Sequence, residues 1–122
     1  MKLRRLAGDF TVCQVADYSQ LAFSQPYVFV GKTDEENSLV CPTEAVPANV
    51  TAREDGWKAF RIEGTLDFSL IGILSAISTL LAENRIGIFA ISTFNTDYVL
   101  TKAENCPRAM EVLAAAGYEI VG

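Results

Sequence analysis

The rhythm of hydrophobic and polar positions changes midway along this 122-residue chain. Before residue 43 the apolar positions come in short runs rich in β-branched residues: FTVCQV (10–15), YVFVGK (27–32) and SLVCP (38–42). Polar or turn-forming residues bound each run, so each predicts a strand, and TDEEN (33–37) predicts the tip of a hairpin joining the last two. Residues 18–23 predict a short helix and 44–46 a single helical turn before Pro47. ANVTAREDG (48–56) predicts a polar, irregular connection.

The second half carries longer periods. WKAFRIE (57–63) predicts a strand and GTLD (64–67) a turn. Apolar residues at Leu70, Ile73, Leu74, Ile77, Leu80 and Leu81 then repeat at helical spacing, which predicts an amphipathic helix with Asp67 or Ser69 as its N-cap and Asn84 and Gly87 bracketing its end. IGIFAIST (86–93) is almost continuously apolar, the pattern of a central strand. TDYVLT (96–101) predicts another strand. Asn105 and Pro107 open a second helix that Gly117 ends, and residues 118–121 form a last short strand. The order βαββαβ predicts an α+β, ferredoxin-like sandwich over residues 57–122. Residues 1–56 read as a shortened, degenerate copy of the same unit, with one sheet running through both.

Composition removes several function classes. The net charge is −5, the pI is about 4.6, and the ten Lys and Arg are scattered, so no basic patch marks a nucleic-acid interface. No apolar stretch reaches the roughly 18–20 residues of a membrane span, and the start, MKLRRLAGDF, lacks the apolar core of a signal peptide. The expectation is a soluble cytoplasmic protein. The chain has three cysteines and no histidine. The odd count and the lack of a CxxC spacing argue against a disulfide framework or structural zinc, and the missing histidine removes Ser-His, Cys-His and His-metal chemistry. No cofactor or metal is expected. Cys106, at a helix start, is the one thiol placed where a thiolate is favoured.

EGTLDFSLIGIL (63–74) and IGIFAISTFNTDYVL (86–100), preceded in order by FTVCQV, TDEENSLVCPTEAVP (33–47) and GWKAFRIEG (56–64), resemble the small bacterial ACT-domain proteins and the ACT domains of the CASTOR-type arginine sensors. The resemblance spans nearly the whole chain. It implies two tandem ACT-like subdomains, usually paired in a homodimer, that bind an amino acid or similar small effector where ACT units meet. It implies ligand contacts from Leu70, Ile71 and Gly72 in the loop before the first helix. It implies further contacts from Phe94, Asn95, Thr96 and Asp97 between two strands, with Asp97 holding a basic group. In the arginine sensors the first loop carries an acid where this chain has Leu70.

Simple chemistry is compatible with that clamp, because a helix N-terminus suits a carboxylate and an aspartate suits an ammonium. Asp97 is equally a good turn residue. Gly72, at a cost of about 1 kcal/mol against Ala in a helix, implies close approach by either a ligand or a neighbouring strand. Phe89 and Phe94 belong in the core or at a contact between subunits. Two functions therefore stand: a non-enzymatic regulatory module for a small metabolite, or a ligand-free assembly module. An acylphosphatase-type enzyme needs an arginine in the phosphate loop, and GTLDFSLIG has none.

Overall fold

The computed structural model describes all residues, Met1–Gly122. Its elements run β1 (Lys2–Arg5), β2 (Phe10–Val15), β3 (Phe29–Lys32), β4 (Asn37–Pro42), β5 (Val50–Ile62), α1 (Ile73–Glu83), β6 (Phe89–Ser92), β7 (Asp97–Lys102), α2 (Cys106–Ala115) and β8 (Glu119–Val121). Single 3-10 turns, Thr43–Ala45 and Ala103–Asn105, follow β4 and β7. The chain divides into two compact units, Gly8–Trp57 and Met1–Ala7 with Lys58–Gly122. The 13-residue strand β5 contributes its first part to one unit and its last residues to the other.

In the unit Gly8–Trp57, β2 pairs antiparallel with β4 and with the start of β5, and β3 pairs antiparallel with β4. The expected hairpin is present with Lys32 opposite Asn37, and the Thr33 hydroxyl accepts the backbone N–H groups of Glu35 and Glu36 at 3.1 Å. Cys13, Val15, Leu39 and Cys41 form the buried cluster. Beside it the buried Thr11 hydroxyl donates to Asp55 Oδ1 at 2.6 Å, which leaves Thr43 to donate to Thr11 at 2.9 Å. Two expectations fail in this unit. Residues 18–23 form turns rather than a helix. Asp17 accepts the Ser19 N–H at 3.0 Å as well as its hydroxyl, and six residues cannot offset helix nucleation against that competing turn. Residues 50–56 are strand rather than irregular, because β2 supplies their backbone partners, while the side chains after the half-buried Val50 stay exposed. A polar sequence is what an exposed strand of this kind tolerates.

The unit Met1–Ala7 with Lys58–Gly122 contains the expected β-α-β-β-α-β order in β5, α1, β6, β7, α2 and β8, the ferredoxin-like α+β arrangement. The N-terminal strand β1 is inserted between β5 and β8, antiparallel to the first and parallel to the second, with Leu3 opposite both Ile62 and Ile120. Leu3, Phe60, Ile62 and Val99 from the strands meet Ile77 and Leu81 of α1 and Ala109 and Leu113 of α2, all at most 1 % exposed. Fully burying a Leu or Ile side chain stabilises by about 1.5–3 kcal/mol before entropy is counted, so this cluster anchors both helices.

Three local expectations change here. Helix α1 starts at Ile73 with Gly72 as N-cap at φ 82°, and neither Asp67 nor Ser69 caps it. Asp67 instead closes its own turn, accepting the Ser69 N–H at 2.8 Å on its carboxylate and the Leu70 N–H at 3.0 Å on its carbonyl. The apolar run 86–93 is not a central strand, since β6 pairs with β7 alone. Its apolar count is divided: Ile86 N–H bonds Leu81 O at 2.9 Å and so belongs to the end of α1, while Phe89 and Ile91 are half-buried on an edge strand. That helix end is a Schellman motif with Arg85 in the left-handed position at φ 60°, where the corresponding residue of α2 is Gly117.

Candidate functional site

The loop between β5 and α1 and the β6–β7 hairpin face one another across an open cleft of about 330 Å³, at the lower end of the size range for small-molecule sites. On the loop side it is lined by Leu66, Asp67, Phe68, Leu70 and Gly72, with Ile73, Leu74 and Ser75 from the first turn of α1. The hairpin side contributes every residue from Ser92 to Asp97. Two contacts tie the walls together: Leu66 N–H donates to Asn95 O at 2.7 Å, and the rings of Phe68 and Phe94 meet edge to face with centroids 5.1 Å apart. No lysine or arginine lines the cleft.

The hairpin residues have distinct tasks. Thr93 and Thr96 close the turn, with the Thr93 N–H and hydroxyl both donating to Thr96 O at 2.9 Å. Thr96 is buried, and its own hydroxyl donates to Ile62 O at 2.7 Å, fixing the hairpin to β5. Asp97 stands opposite Ser92 and accepts its hydroxyl at 2.6 Å on Oδ1. A carboxylate offers about four acceptor positions, so this bond closes the hairpin and leaves capacity toward the cleft. Across from it, the Ser69 N–H, then the Ser69 hydroxyl, hold the Asp67 carboxyl below its ordinary range. The cleft thus sets two carboxylates among hydroxyls, with the N-terminus of α1 on one wall, where unpaired N–H groups and partial positive charge gather.

The structure brings Leu70, Gly72, Phe94, Asn95, Thr96 and Asp97 around one space. Ile71 is 94 % exposed and outside the lining. A Cβ on Gly72 would meet nothing within 4 Å, so no neighbouring strand crowds it. Its left-handed φ is the reason for glycine, and the space before it is open. Asp67, Phe68, Ser75 and Ser92 also line the cleft without having been read as site residues. Asp67 and Ser69 carried a signal, since an Asp two residues before a Ser marks an Asx turn, but it reads as a helix cap when the helix start is misplaced. Phe94 lies at the rim, 78 % exposed, rather than in the core.

A family model described as ACT domain matches residues 52–115, just over half of the chain. The chain belongs to the ACT-domain family. No curated protein matches this ACT-domain chain in sequence. Among solved structures, a protein from Agrobacterium tumefaciens is 29 % identical with a TM-score of 0.86, over 98 % of this chain and 91 % of that one. The regulatory subunit of aspartate kinase from Thermus thermophilus, in its ligand-free form, is 11 % identical with a TM-score of 0.64, over 96 % of this chain and 98 % of that one. An aspartate kinase from Clostridium acetobutylicum, described as an allosteric enzyme, is 12 % identical with a TM-score of 0.66, over 93 % of this chain and 33 % of its own length. The last two likenesses show the ACT fold alone. No helix of this ACT-domain chain is long and apolar enough to cross a membrane.

Proposed function

We propose that the chain is a non-enzymatic regulatory module that binds an amino acid or a closely related metabolite in the cleft between Gly72 and Asp97. The observation that carries this reading is the pairing, across about 330 Å³, of the α1 N-terminus with the Asp97 carboxylate in a lining that has no basic side chain. The ligand carboxylate would take the N–H groups of the first turn of α1, and its ammonium would take Asp97 by charge-assisted hydrogen bonds. Leu70 offers a guanidinium no partner, so the resemblance to the arginine sensors does not extend to a proposed arginine specificity. The tandem arrangement, residues 1–56 as a degenerate ACT-like subdomain and 57–122 as the second, belongs to the same reading, with Met1–Ala7 counted to the second unit. Likeness over nearly the full length of an aspartate kinase regulatory subunit supports it. A cytoplasmic homodimer whose second copy covers the cleft completes it. A thermal-shift screen of the twenty amino acids tests the binding: a ligand at a hundredfold its Kd stabilises by about 2.7 kcal/mol, and a screen without any shift at millimolar concentration overturns it.

One observation favours the assembly reading. Phe68, Ile71 and Phe94 are 76, 94 and 78 % exposed around the cleft mouth, and clustered exposed apolar side chains mark interaction surfaces. Sedimentation analysis separates the two: a dimer that forms without any ligand and is broken by Phe68→Ser with Phe94→Ser supports assembly. A strict monomer in the presence and absence of amino acids removes that reading.

A further inference from the structure

Depth divides the cleft of about 330 Å³ into two chemistries. At its inner end Leu66, Ile73 and Leu74 are half-buried and pack against the buried cluster that anchors both helices. The one fully buried polar side chain of the lining, Thr96, already donates its hydroxyl to Ile62 O at 2.7 Å. A group that reaches this floor therefore meets carbon. Charge is divided by depth as well. Asp97 is half-buried, whereas Asp67 is exposed and its carboxylate is turned onto the Ser69 N–H at 2.8 Å. A cation at an exposed carboxylate gains little over its hydration. No basic side chain lines the cleft, so beyond one ammonium at Asp97 and one carboxylate at the start of α1 it offers no partner to a third charge. At the mouth apolar surface returns: the Phe68 and Phe94 rings, edge to face at 5.1 Å, are 76 and 78 % exposed, and Leu70 is 52 % exposed.

We propose that the ligand class of this cleft is the amino acids with a bulky hydrocarbon side chain, branched or aromatic. The side chain lies on the floor of Leu66, Ile73 and Leu74 and under the Phe68 and Phe94 rings, with Leu70 beside it. This rests on the reading of the cleft as an amino-acid site and narrows it to one class. An acidic side chain brings a second negative charge that no basic group meets. A basic one leaves its charge on apolar surface, where desolvation is not compensated. A small one leaves the floor and the two rings in water, and that forfeits the apolar area a larger side chain would cover.

The test titrates the full chain in a calorimeter with leucine, phenylalanine, alanine, glutamate and lysine. Leucine or phenylalanine should bind at least roughly tenfold more tightly than alanine, because the added carbons reach apolar surface, and glutamate and lysine should be weaker than either by a similar factor. Leu70→Ser supplies the second arm, at a position exposed enough to leave the fold intact, which an unchanged melting curve confirms. It should weaken the leucine or phenylalanine complex roughly fivefold and leave the alanine complex as it was, since only the longer side chain reaches residue 70. A merely structural effect would weaken all of them alike. Alanine, glutamate or lysine binding as tightly as the bulky apolar pair, or equal losses for leucine and alanine in Leu70→Ser, overturns this proposal and leaves the amino-acid module standing. The absence of binding by all five removes the reading of the cleft and this proposal with it.

Discussion

Thr96→Val isolates the bond that fixes the hairpin to the sheet. Valine keeps the volume of threonine and removes the donor. Thr96 is 6 % exposed and Ile62, whose carbonyl accepts its hydroxyl at 2.7 Å, is 0 % exposed, so water cannot replace the lost partner. A buried acceptor left without its donor costs about 1–3 kcal/mol. Taking about 2 kcal/mol, a domain of this length should lose roughly 5–10 °C in melting temperature. Urea unfolding by circular dichroism measures it, with Thr96→Ser as the control that keeps the hydroxyl and gives up one methyl, about 0.8 kcal/mol. Stability of Thr96→Val equal to that of the unaltered chain, or a serine variant as unstable as the valine one, would refute the assignment of this bond.

Backbone and charge give further outcomes. Gly72→Ala should destabilise by about 1–2 kcal/mol through its left-handed φ of 82°, and Arg85→Gly should gain up to about 1 kcal/mol at the matching position that ends α1 (φ 60°); urea midpoints with unchanged m-values check both. The carboxyls of Glu63, held down by hydrogen bonds from Arg4 and then Arg61, and of Asp67 and Asp17, held down by Ser69 and Ser19, are all depressed in the fold. Groups of this sign stabilise above their unfolded pKa and lose that contribution as pH falls through the folded value. Stability should therefore be flat from pH 7 to about 5 and decline below about 4, less steeply in Glu63→Gln; a decline of equal slope in that variant contradicts the Arg4–Glu63–Arg61 pairing.

Much of the fold was legible because periodicity reports burial. The stripe of Ile77 and Leu81 and the strand residues Phe60, Ile62 and Val99 form one cluster in the structure, and their spacing carried that information. Pairing that burial does not demand was invisible. KLRR has one apolar residue, Leu3, yet its backbone fills the position between β5 and β8. Residues 50–56 are strand because β2 supplies hydrogen bonds, which no side-chain pattern records. IGIFAIS misled in the opposite sense, since one apolar run served a helix end and an edge strand. Around the cleft the hairpin half was legible through FNTD. The loop half was displaced by a few residues, because Asp67 and Ser69 resemble a cap while Gly72 holds the position.

Isothermal titration with the amino acid that gives the largest thermal shift tests the central claim, that Asp97 and the start of α1 clamp an amino acid. Asp97→Asn keeps shape, and the amide can still accept from Ser92, but it removes the charge that an ammonium needs; breaking a charge-assisted pair of this kind costs about 1.5–3 kcal/mol, or roughly 10–150-fold in Kd. The account predicts that loss with unfolding stability nearly unchanged. Undiminished affinity in Asp97→Asn would contradict it.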